Sequence, residues 1–567
     1  MSRRRPVVVG VLALSAALVG SLLPAASGSA VPASAPVAAL AVADPAPGGL
    51  VPSPDPNEVG GASDGTLIGT PLEPSQDVEE IKTLQQQARP VDTSGAVDKL
   101  RRLAEQNPGI TQSPAYQIVS GYQKSSSVLQ SVPVGKRSYE DRPVTHRNGF
   151  GKRDASGVRM FSWPGEDTLY NHPVGQSQYV ILNLNSYRLT GETVYLEMAR
   201  VNAQRLIDTR VESAGGWYYP YDFDFAVHGD TTQTLRAPWY SAMGQGQALS
   251  AFTRMYEVTR EPKWKEAADR TFISLLQAPN GNAPFSSRVD GQGRLWLEEY
   301  PRYPVENSEM VLNGHIFALF GLHDYWQMSG RTQLVADVIL GGLKTVELTA
   351  LNGFRRPSWA SVYSLWHAYP SFTYHHIHTD QFTDLWTMTK SPFWVTTSTT
   401  YRTDWAVRGT AGVVVLTPRV KTMYKLDSEH RITATRQVSI GSQTAASFDQ
   451  RWRIQGGPMA LRIINGAYAG WWVEEKFGTA WARGATDVHL YEPQVKLTFG
   501  GNKLYSAYRL DSVGNVVGSK TLFITRNSNA PTRRSAIVQG RPAYYMHVGA
   551  FAGYWVPVQS TVYVGAY

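Results

Sequence analysis

The chain contains no cysteine among its 567 residues. This absence excludes disulfides, a lipid-modified cysteine anchor and metal sites built from thiolates. Charged residues are also few, at 18%. Beyond residues 1–30 no run is apolar and long enough to predict a membrane-spanning helix.

Residues 1–30 begin with Arg3, Arg4 and Arg5, continue as an apolar run and end in small residues, which is the pattern of a secretory signal peptide. Cleavage is expected after Ala30 or Ala35. The alternative is an uncleaved membrane anchor, but glycine, serine and proline interrupt the run. We therefore predict a secreted protein, extracellular or associated with the cell wall, and its lack of disulfides is typical of bacteria.

The formal net charge is +8, a modest excess that suits a polyanionic partner or an anionic cell envelope. Nothing else in the sequence supports nucleic-acid binding, so no nucleic-acid partner is predicted. Aromatic residues make up 11% of the chain, with 16 Trp and 29 Tyr, and many lie in predicted loops. Such rings are typical of sugar-binding surfaces, because a pyranose packs its C–H face on an aromatic plane.

Composition and periodicity divide the chain into six parts. We predict a signal peptide (1–30), a disordered linker rich in Ala, Pro and Gly (31–95), an N-terminal segment of mixed structure (96–170), a helical domain (171–398) and two β repeats (399–487 and 488–567).

The helical domain shows paired helices joined by short polar turns, such as "LTGET" and "TREPK", with a last helix near 379–389. Repeated pairs predict a mainly α fold, an α/α toroid or open α/α barrel. The connections between pairs are long and aromatic: "GGWYYPYDFDF", "GRLWLEEYPRYP" and "SVYSLWHAYPSFTYHHIH". All three should converge on one rim, where loops carry function. The alternative is that these rings only plug the end of the barrel.

From about residue 401 the sequence predicts short strands, and it repeats. "YKLDSEHRIT", from Tyr424, returns as "YRLDSVGNVV" from Tyr508. Two small all-β, barrel-like modules are predicted. They resemble the GW-type wall-attachment repeats of secreted bacterial proteins, which implies a cell-wall glycan as partner. Four rings either contact glycan or form the module cores: Trp471, Trp472, Tyr554 and Trp555.

Acids, phenols and a cation are concentrated in "EEYPRYP", residues 298–304, and phenols and imidazoles in the next connection. Across a cleft, such groups suit two reactions on acidic sugars. One is glycoside hydrolysis by a carboxylate pair. The other removes the C5 proton of a uronic acid, with a tyrosine base whose pKa is lowered by a nearby cation. Proton return to the other face gives the epimer, and loss of the leaving group gives a lyase product.

Four motifs carry a resemblance to a known family: "PWYSAMGQGQALSAFTRMYEVT", "WLEEYP", "VLNGHIFALFGLHDY" and "YHHIHTDQ". From about Trp217 to Phe393 the chain is similar to the C-terminal catalytic region of D-glucuronyl C5-epimerases, which convert glucuronate to iduronate in heparan-type polysaccharides. The resemblance implies an isomerase that acts on a uronate polysaccharide without a cofactor. The large β domain that precedes the helices in the family is missing or much reduced here.

The resemblance also implies residue roles. Tyr300 and Tyr374 are the expected proton carriers on opposite faces of the sugar, Glu299 orients or shares a proton, and Tyr363 stabilises the enolate. Further substrate contacts are expected at Glu298, Arg302, Trp217, Tyr240, Gln245, Asn313, Trp366, His367, His375 and His378.

One position departs from the family. An arginine that meets the uronate carboxylate is expected three residues after Tyr363, and this chain has Trp366. Arg302, Arg355 and Arg356 are the candidate replacements. The departure keeps two alternatives open: a uronate lyase or hydrolase on the same scaffold, and a glycan-binding protein without catalysis.

His375, His376, His378 and Asp380 place imidazoles and a carboxylate close together, which is one way to build a metal site. Since His375 and His378 belong to the family motif without serving as ligands, we favour structural or substrate-contacting histidines and predict no metal. In "GQGQ", Gly244 and Gly246 predict close helix packing rather than phosphate binding. The sequence leaves the polymer and the oligomeric state open, a dimer included.

Overall fold

The computed structural model describes residues 119–138, 151–281, 283–405 and 411–565. The predicted signal peptide and linker lie outside these residues, as does much of the segment 96–170. Internal contacts divide the described residues into two units. The first unit takes its residues from 119–122, 151–310 and 317–339, and the second from 123–138, 311–316 and 340–565.

Eight α-helices occur in the described residues, and six of them match the three predicted pairs. Their bounds are α1 Pro173–Thr190, α2 Thr193–Thr209, α3 Ala242–Thr259, α4 Pro262–Ser274, α5 Leu312–Met328, α6 Gln333–Thr349, α7 Phe372–Thr389 and α8 Pro392–Asp404.

In two of the four pairs, a residue with a left-handed backbone follows the first helix and a proline begins the second. Arg260, at φ 59°, follows α3 and Pro262 begins α4. Lys390, at φ 53°, follows α7 and Pro392 begins α8. For α3 and α4 this local chemistry supported the predicted pair.

Two expectations about the last helices were wrong. Helix α7 begins at Phe372, because the Ser371 hydroxyl caps the backbone N–H of Tyr374. Helix α8 was not predicted, since its threonines favour a strand. It forms because Trp394, Ser398 and Tyr401 are buried along one face. The helical part therefore ends at Asp404 rather than at residue 398.

In the first unit, α1 packs against α2 and α3, and α3 packs against α4. Every residue of α1 from Pro173 to Ser186 is buried. Helices α3 and α5 approach each other closely at Gly246, where an added Cβ would lie 2.9 Å from the Cβ of Ala318. The prediction of close helix packing at Gly246 is confirmed. Closure of the pairs into an α/α toroid stays a prediction.

Three short hairpins lie in the connections of the first unit. They are β1 (Val211–Ser213) with β2 (Gly216–Tyr218), β3 (Phe225–Ala226) with β4 (Thr234–Leu235), and β5 (Ser287–Val289) with β6 (Leu295–Leu297). The segment "EEYP" follows β6 directly, so the hairpin fixes its starting point.

The C-terminal region consists of two seven-stranded antiparallel sheets. Their strands are β7 Gly412–Leu416, β8 Arg419–Leu426, β9 Ile432–Ile440, β10 Thr444–Arg453, β11 Met459–Ile463, β12 Trp472–Glu474, β13 Ala480–Ala482, β14 Ala485–Phe499, β15 Lys503–Leu510, β16 Val516–Ile524, β17 Ser528–Val538, β18 Arg541–Tyr545, β19 Trp555–Pro557 and β20 Val562–Val564. The first sheet has the strand order β13-β7-β10-β11-β12-β8-β9, and the second has the order β16-β15-β19-β18-β17-β14-β20.

When the second order is read in reverse, the two orders are the same. Each strand of the first sheet then corresponds to the strand numbered seven higher in the second sheet. The predicted repeat is therefore confirmed as a repeated sheet. The barrel-like expectation is not met, because in the described residues each sheet keeps two unpaired edge strands. The second repeat begins with β14 at Ala485, close to the predicted boundary.

Both sheets belong to the same unit as α7 and α8. Trp386 of α7 donates from its indole N–H to the carbonyl of Pro493 at 2.7 Å. Arg402 of α8 forms a buried ion pair with Asp487 of β14, with 2.9 Å between Nε and Oδ2. The repeats are thus packed onto the last helix pair. Among the described helices, none has the length and apolarity needed to cross a membrane.

Candidate active site

The segment after β6 buries two adjacent carboxylates. Glu298 and Glu299 are both fully buried. Glu298 accepts a hydrogen bond from Arg288 Nε at 2.7 Å and another from the backbone N–H of Met310 at 3.0 Å. Burial raises the pKa of Glu298, and the positive charge of Arg288 opposes this. Glu298 therefore holds the segment in place, and its contact with substrate stays a prediction.

Tyr300 lies in an aromatic cluster built from the first connection. Its ring centroid is 5.5 Å from that of Phe225 and 6.0 Å from that of Trp239. Trp239 in turn stacks on Tyr221 at 3.8 Å. The first two aromatic connections thus converge around Tyr300, as predicted. The third connection, which carries Tyr363, belongs to the second unit, and its convergence with the other two stays a prediction.

Arg302 is the cation of this segment, and it is buried. Its Nη2 lies 3.0 Å from Oε1 of Glu309, and its Nη1 donates to the side-chain oxygen of Gln233. The other carboxylate oxygen of Glu309 is 3.3 Å from Nε2 of His228. Burial lowers the pKa of Arg302, while the charge of Glu309 and the phenol of Tyr300 act to raise it. Arg302 and Tyr300 are therefore electrostatically coupled.

In the second unit, Tyr363 and Tyr374 form a close pair. Their ring centroids are 4.3 Å apart, with the ring planes inclined at 51°. Both side chains are buried. Tyr363 is held by the hydrogen bond from its backbone N–H to the carbonyl of Tyr369 at 2.9 Å, whereas Tyr374 lies in the first turn of α7. The expectation that Tyr374 belongs to the loop was wrong.

The histidines after Tyr374 also lie on α7, and they fasten it to Ser361. His375 Nδ1 accepts from the backbone N–H of Ser361 at 2.9 Å, and its Nε2 donates to the carbonyl of Tyr401 at 2.8 Å. The Ser361 hydroxyl is 2.9 Å from Nδ1 of His378. Burial lowers the pKa of His375 to about 4, so the ring is neutral. With both nitrogens of His375 occupied, the structural interpretation is favoured over a metal site.

Trp366 occupies the position at which the family has an arginine, and it is 42% exposed and available for contact. His367, half-buried, stacks on Tyr369 with ring centroids 5.7 Å apart. Arg355 is paired with Asp404, with 2.6 Å between Nε and Oδ2. Arg356 donates to two backbone carbonyls, those of Gly353 and Arg355. Neither arginine is free to replace the missing one.

Three expected contacts in the first unit have structural partners. Gln245 is fully buried: its Oε1 accepts from Tyr219 N–H at 2.9 Å, and its Nε2 donates to the carbonyl of Trp217 at 2.7 Å. The Trp217 ring is covered by Arg210, whose guanidinium carbon is 4.1 Å from the ring centroid. Tyr240 is half-buried with its ring centroid 5.5 Å from that of Tyr218, and burial raises its pKa. Gln245, Trp217 and Tyr240 thus have partners within the protein, and their contacts with sugar stay predictions.

Asn313, at the start of α5, is buried, and its backbone carbonyl accepts from the side chain of Gln381 at 2.9 Å. The side-chain oxygens of Asn313 and Gln381, and Nε2 of His378, are buried without a hydrogen-bond partner in the described part of the second unit. Buried polar atoms of this kind need a water or a ligand group. Gln381 was not predicted, although it ends the motif "YHHIHTDQ".

In the repeats, Trp472 and Trp555 are buried at equivalent positions, opposite Tyr424 and Tyr508. They are core residues rather than glycan contacts. Trp471 and Tyr554 are half-buried. The Trp471 ring is flanked by two cations, Arg436 at 4.2 Å and Lys425 at 5.1 Å from its centroid. Trp471 is therefore partly covered by cations and packs against the core of the first sheet, and its contact with glycan stays a prediction.

The site depends on partners that the sequence analysis missed: Arg288 for Glu298, Glu309 for Arg302, and Ser361 for His375. Arg288 and Glu309 come from segments without a motif of their own, whereas Ser361 begins the third aromatic connection. Arg288 had a weak signal, because it lies on β5, directly opposite Trp296 in the hairpin that leads to Glu298.

Residues 211–403 match a family model described as the D-glucuronyl C5-epimerase C-terminus. A curated D-glucuronyl C5-epimerase from Caenorhabditis elegans is 32% identical over 115 residues, which make up 20% of this chain. The match covers 17% of that relative's length.

Two solved structures are also similar. Cellobiose 2-epimerase from Bacillus thermoamylovorans is 13% identical with a TM-score of 0.33, and the match covers 43% of this chain and 62% of that one. A family 76 α-mannanase from Bacteroides thetaiotaomicron is 13% identical with a TM-score of 0.27, covering 42% and 58%. At TM-scores this low, neither structure determines the fold or the function of this chain.

The similarity of the β repeats to GW-type modules stays a prediction. Over residues 211–403, in contrast, the resemblance seen in the motifs is confirmed, and this segment matches the C-terminal region of the D-glucuronyl C5-epimerase family.

Proposed function

We propose that this chain is a polysaccharide uronate C5-epimerase, which converts glucuronate residues to iduronate by removing and returning the C5 proton. The observation that carries this proposal is the position of three buried tyrosines within the segment that matches the family. Tyr300 is coupled to a buried cation, and Tyr363 and Tyr374 form a close pair.

The chemistry requires a strong base, because a C5–H bond beside a carboxylate is only weakly acidic. In the proposed reaction, the phenolate of one tyrosine takes the C5 proton and the electron pair moves into the carboxylate as an enolate. A phenol on the other face then gives its proton to C5, which inverts the centre. Proton exchange with solvent restores both tyrosines. We assign these roles to Tyr300 and Tyr374, with Tyr363 donating a hydrogen bond to the enolate.

Arg302 is the residue best suited to replace the missing arginine. The other two candidates, Arg355 and Arg356, are occupied by Asp404 and by backbone carbonyls. Arg302 stabilises negative charge at Tyr300, which lowers the cost of forming a phenolate there. In the described residues its Nε has no hydrogen-bond partner, which supports contact with an anionic group of the substrate. Exposed Trp366 offers a ring for an adjoining sugar.

The N-terminal pattern supports secretion, and we propose that the protein acts on an acidic polysaccharide outside the cell. The N-terminal sequence of protein recovered from culture medium tests this point. A start at Val31 or Pro36 is expected, and a retained Met1 would contradict it.

The reaction is tested in deuterated water across a panel of uronate polysaccharides, by measuring deuterium at C5. The wild type should incorporate deuterium, whereas Tyr300→Phe and Tyr374→Phe should not. Tyr256→Phe, at the far end of α3, is the matched control. A product that absorbs in the ultraviolet would instead identify a lyase, and new reducing ends a hydrolase. Binding without any solvent exchange would identify a glycan-binding protein.

A further inference from the structure

A continuous stack of rings in the second unit links the start of α7 to the core of the first sheet. Phe372, the first residue of α7, stacks on Trp405 with ring centroids 4.3 Å apart. His430 lies nearly parallel to both, at 5.6 Å from Phe372 and 5.3 Å from Trp405. On its other side His430 stacks on Trp452 at 4.1 Å, and Trp452 is 5.8 Å from Trp472.

His430 occupies an unfavourable backbone conformation in the turn between β8 and β9. Its φ is 61°, in the left-handed region. A residue with a Cβ pays roughly 1 kcal/mol or more for this conformation. The turn itself is held by Asp427, whose Oδ1 accepts from the backbone N–H groups of Glu429 and Arg431, both at 2.9 Å.

The second repeat contains the same turn with glycine in place of His430. There Asp511 Oδ1 accepts from the N–H groups of Val513 and Asn515, at 3.0 and 2.8 Å. The left-handed residue is Gly514, at φ 86°. The turn therefore does not require a side chain at this position. Strain retained in only one of two equivalent turns points to a role for the side chain.

The contacts of His430 show what that role is. The side chain is 1% exposed, and within the described residues neither ring nitrogen makes a hydrogen bond with good geometry. Burial lowers the pKa of His430 to about 4, although the backbone of Arg453 and the charge of Asp427 oppose the change. At neutral pH the residue is thus a flat, uncharged ring that stacks on Phe372, Trp405 and Trp452 and meets Trp359 edge-on, with ring centroids 6.0 Å apart.

Fixing Phe372 also fixes Tyr374, because both lie in the first turn of α7. The cap on this turn is weak, because Ser371 Oγ and Tyr374 N are 3.3 Å apart, beyond the range of about 2.7–3.2 Å that is usual for N–H···O bonds. Packing from the first repeat therefore supports a turn that its own cap holds loosely.

We propose that His430 is a positioning residue for Tyr374, acting through the ring of Phe372, so that the first β repeat is part of the catalytic apparatus. The expected effect of His430 on catalysis rests on the proposed function. Its expected structural effect, an ordered first turn of α7, does not depend on any activity.

The test compares His430→Gly, which matches the second repeat, with His430→Phe, which keeps a flat ring. Ser428→Gly, at an exposed position of the same turn, is the control. Two quantities are measured: kcat and KM for deuterium incorporation at C5, and backbone amide exchange over residues 374–378 by mass spectrometry.

His430→Gly should lower kcat by about 10-fold to 100-fold, as expected for a misplaced catalytic group, with KM changed by less than about threefold. Amide exchange over 374–378 should become faster. His430→Phe should restore both quantities, and Ser428→Gly should leave both unchanged.

The two proposals fail in different ways. If the wild type shows no exchange at C5, the proposed function is wrong, and the amide measurement still tests His430. If the amides of α7 exchange at the wild-type rate in His430→Gly, the positioning role is wrong. A His430→Phe variant as impaired as His430→Gly would likewise contradict it, because the stacked ring would then not be what matters.

Discussion

The rings of Tyr363 and Tyr374 lie 4.3 Å apart, one in the middle of a connection and the other in the first turn of a helix. Two phenols at this distance cannot both ionise readily, because the first negative charge raises the pKa of the second group. At any one time, therefore, one phenol of the pair can carry a negative charge while the other stays protonated and can donate its proton.

If these two tyrosines act as a unit, their replacement should not be additive. Tyr374→Phe should abolish deuterium incorporation at C5, and Tyr363→Phe should lower it by about 100-fold, in the range of a lost oxyanion donor. The double variant should be no slower than Tyr374→Phe alone. Initial rates in deuterated water measure all three. Residual exchange in Tyr374→Phe that falls further in the double variant would show independent roles.

Variants of Arg302 and Glu309 distinguish a catalytic role of Arg302 from a purely structural one. Arg302→Met should destabilise the protein by about 3–5 kcal/mol, because Glu309 would keep a buried charge without this partner. Adding Glu309→Gln should recover much of that stability without recovering exchange at C5. Urea unfolding and deuterium incorporation are measured on the same samples. Recovery of activity in the double variant would mean that Arg302 only balances Glu309.

His375 predicts a loss of stability in acid. Its pKa is lowered from the ordinary 6.5 to about 4 in the folded protein. Below about pH 6.5 the unfolded chain binds a proton that the folded protein does not, so stability is complete above that pH and falls as the pH drops toward 4.

Each unit of this difference corresponds to about 1.4 kcal/mol, so the full effect is of the order of a few kcal/mol. His375→Asn keeps an acceptor for the Ser361 N–H and should give a protein that is less stable at pH 7 but loses less stability below pH 6. Urea midpoints from pH 4 to 7.5 measure the slope. His547→Asn, at an exposed position, should leave the slope unchanged. An unaltered slope in His375→Asn would contradict the assignment.

Gly246 predicts a steric effect between α3 and α5. Alanine favours a helix over glycine by up to about 1 kcal/mol, but its Cβ would meet the backbone of Ala318. Gly246→Ala should therefore destabilise by about 1–3 kcal/mol through overpacking. Gly291→Ala is the control, since an added Cβ there meets nothing within 4 Å. Thermal unfolding distinguishes the two, and a gain in stability for Gly246→Ala would disprove the close contact.

Elements with strong local chemistry could be predicted from the sequence. The helix pairs follow from apolar periodicity and from prolines such as Pro262, and the repeated sheet follows from the matched turns at Asp427 and Asp511. Helix α8 could not be predicted, because its threonines favour strands until Trp394 and Tyr401 are buried. Tertiary packing decides such segments, and propensity alone does not.

The residues of the candidate site also fall into those that could be predicted from the sequence and those that could not. Tyr300, Tyr363 and Tyr374 could be identified because they lie in motifs. Their supports could not, since the pairing of Arg302 with Glu309 depends on how the chain folds back between them. The start of α7 had a readable signal in Ser371, a favoured capping residue.

The strands β13 and β14 are separated by only two residues. Both sheets contact the helix pair that carries Tyr374: Arg453 of the first sheet donates to the carbonyl of Asp404 at 3.0 Å, and Asp487 of the second pairs with Arg402. An active site that is joined to a binding module by a flexible linker can reach sugars over a wide area around one attachment point. Because the described parts of both sheets contact this helix pair directly, a polysaccharide bound to the sheets would present its sugars at a constant distance from Tyr374. The polymer would then have to dissociate before another stretch of it could be presented.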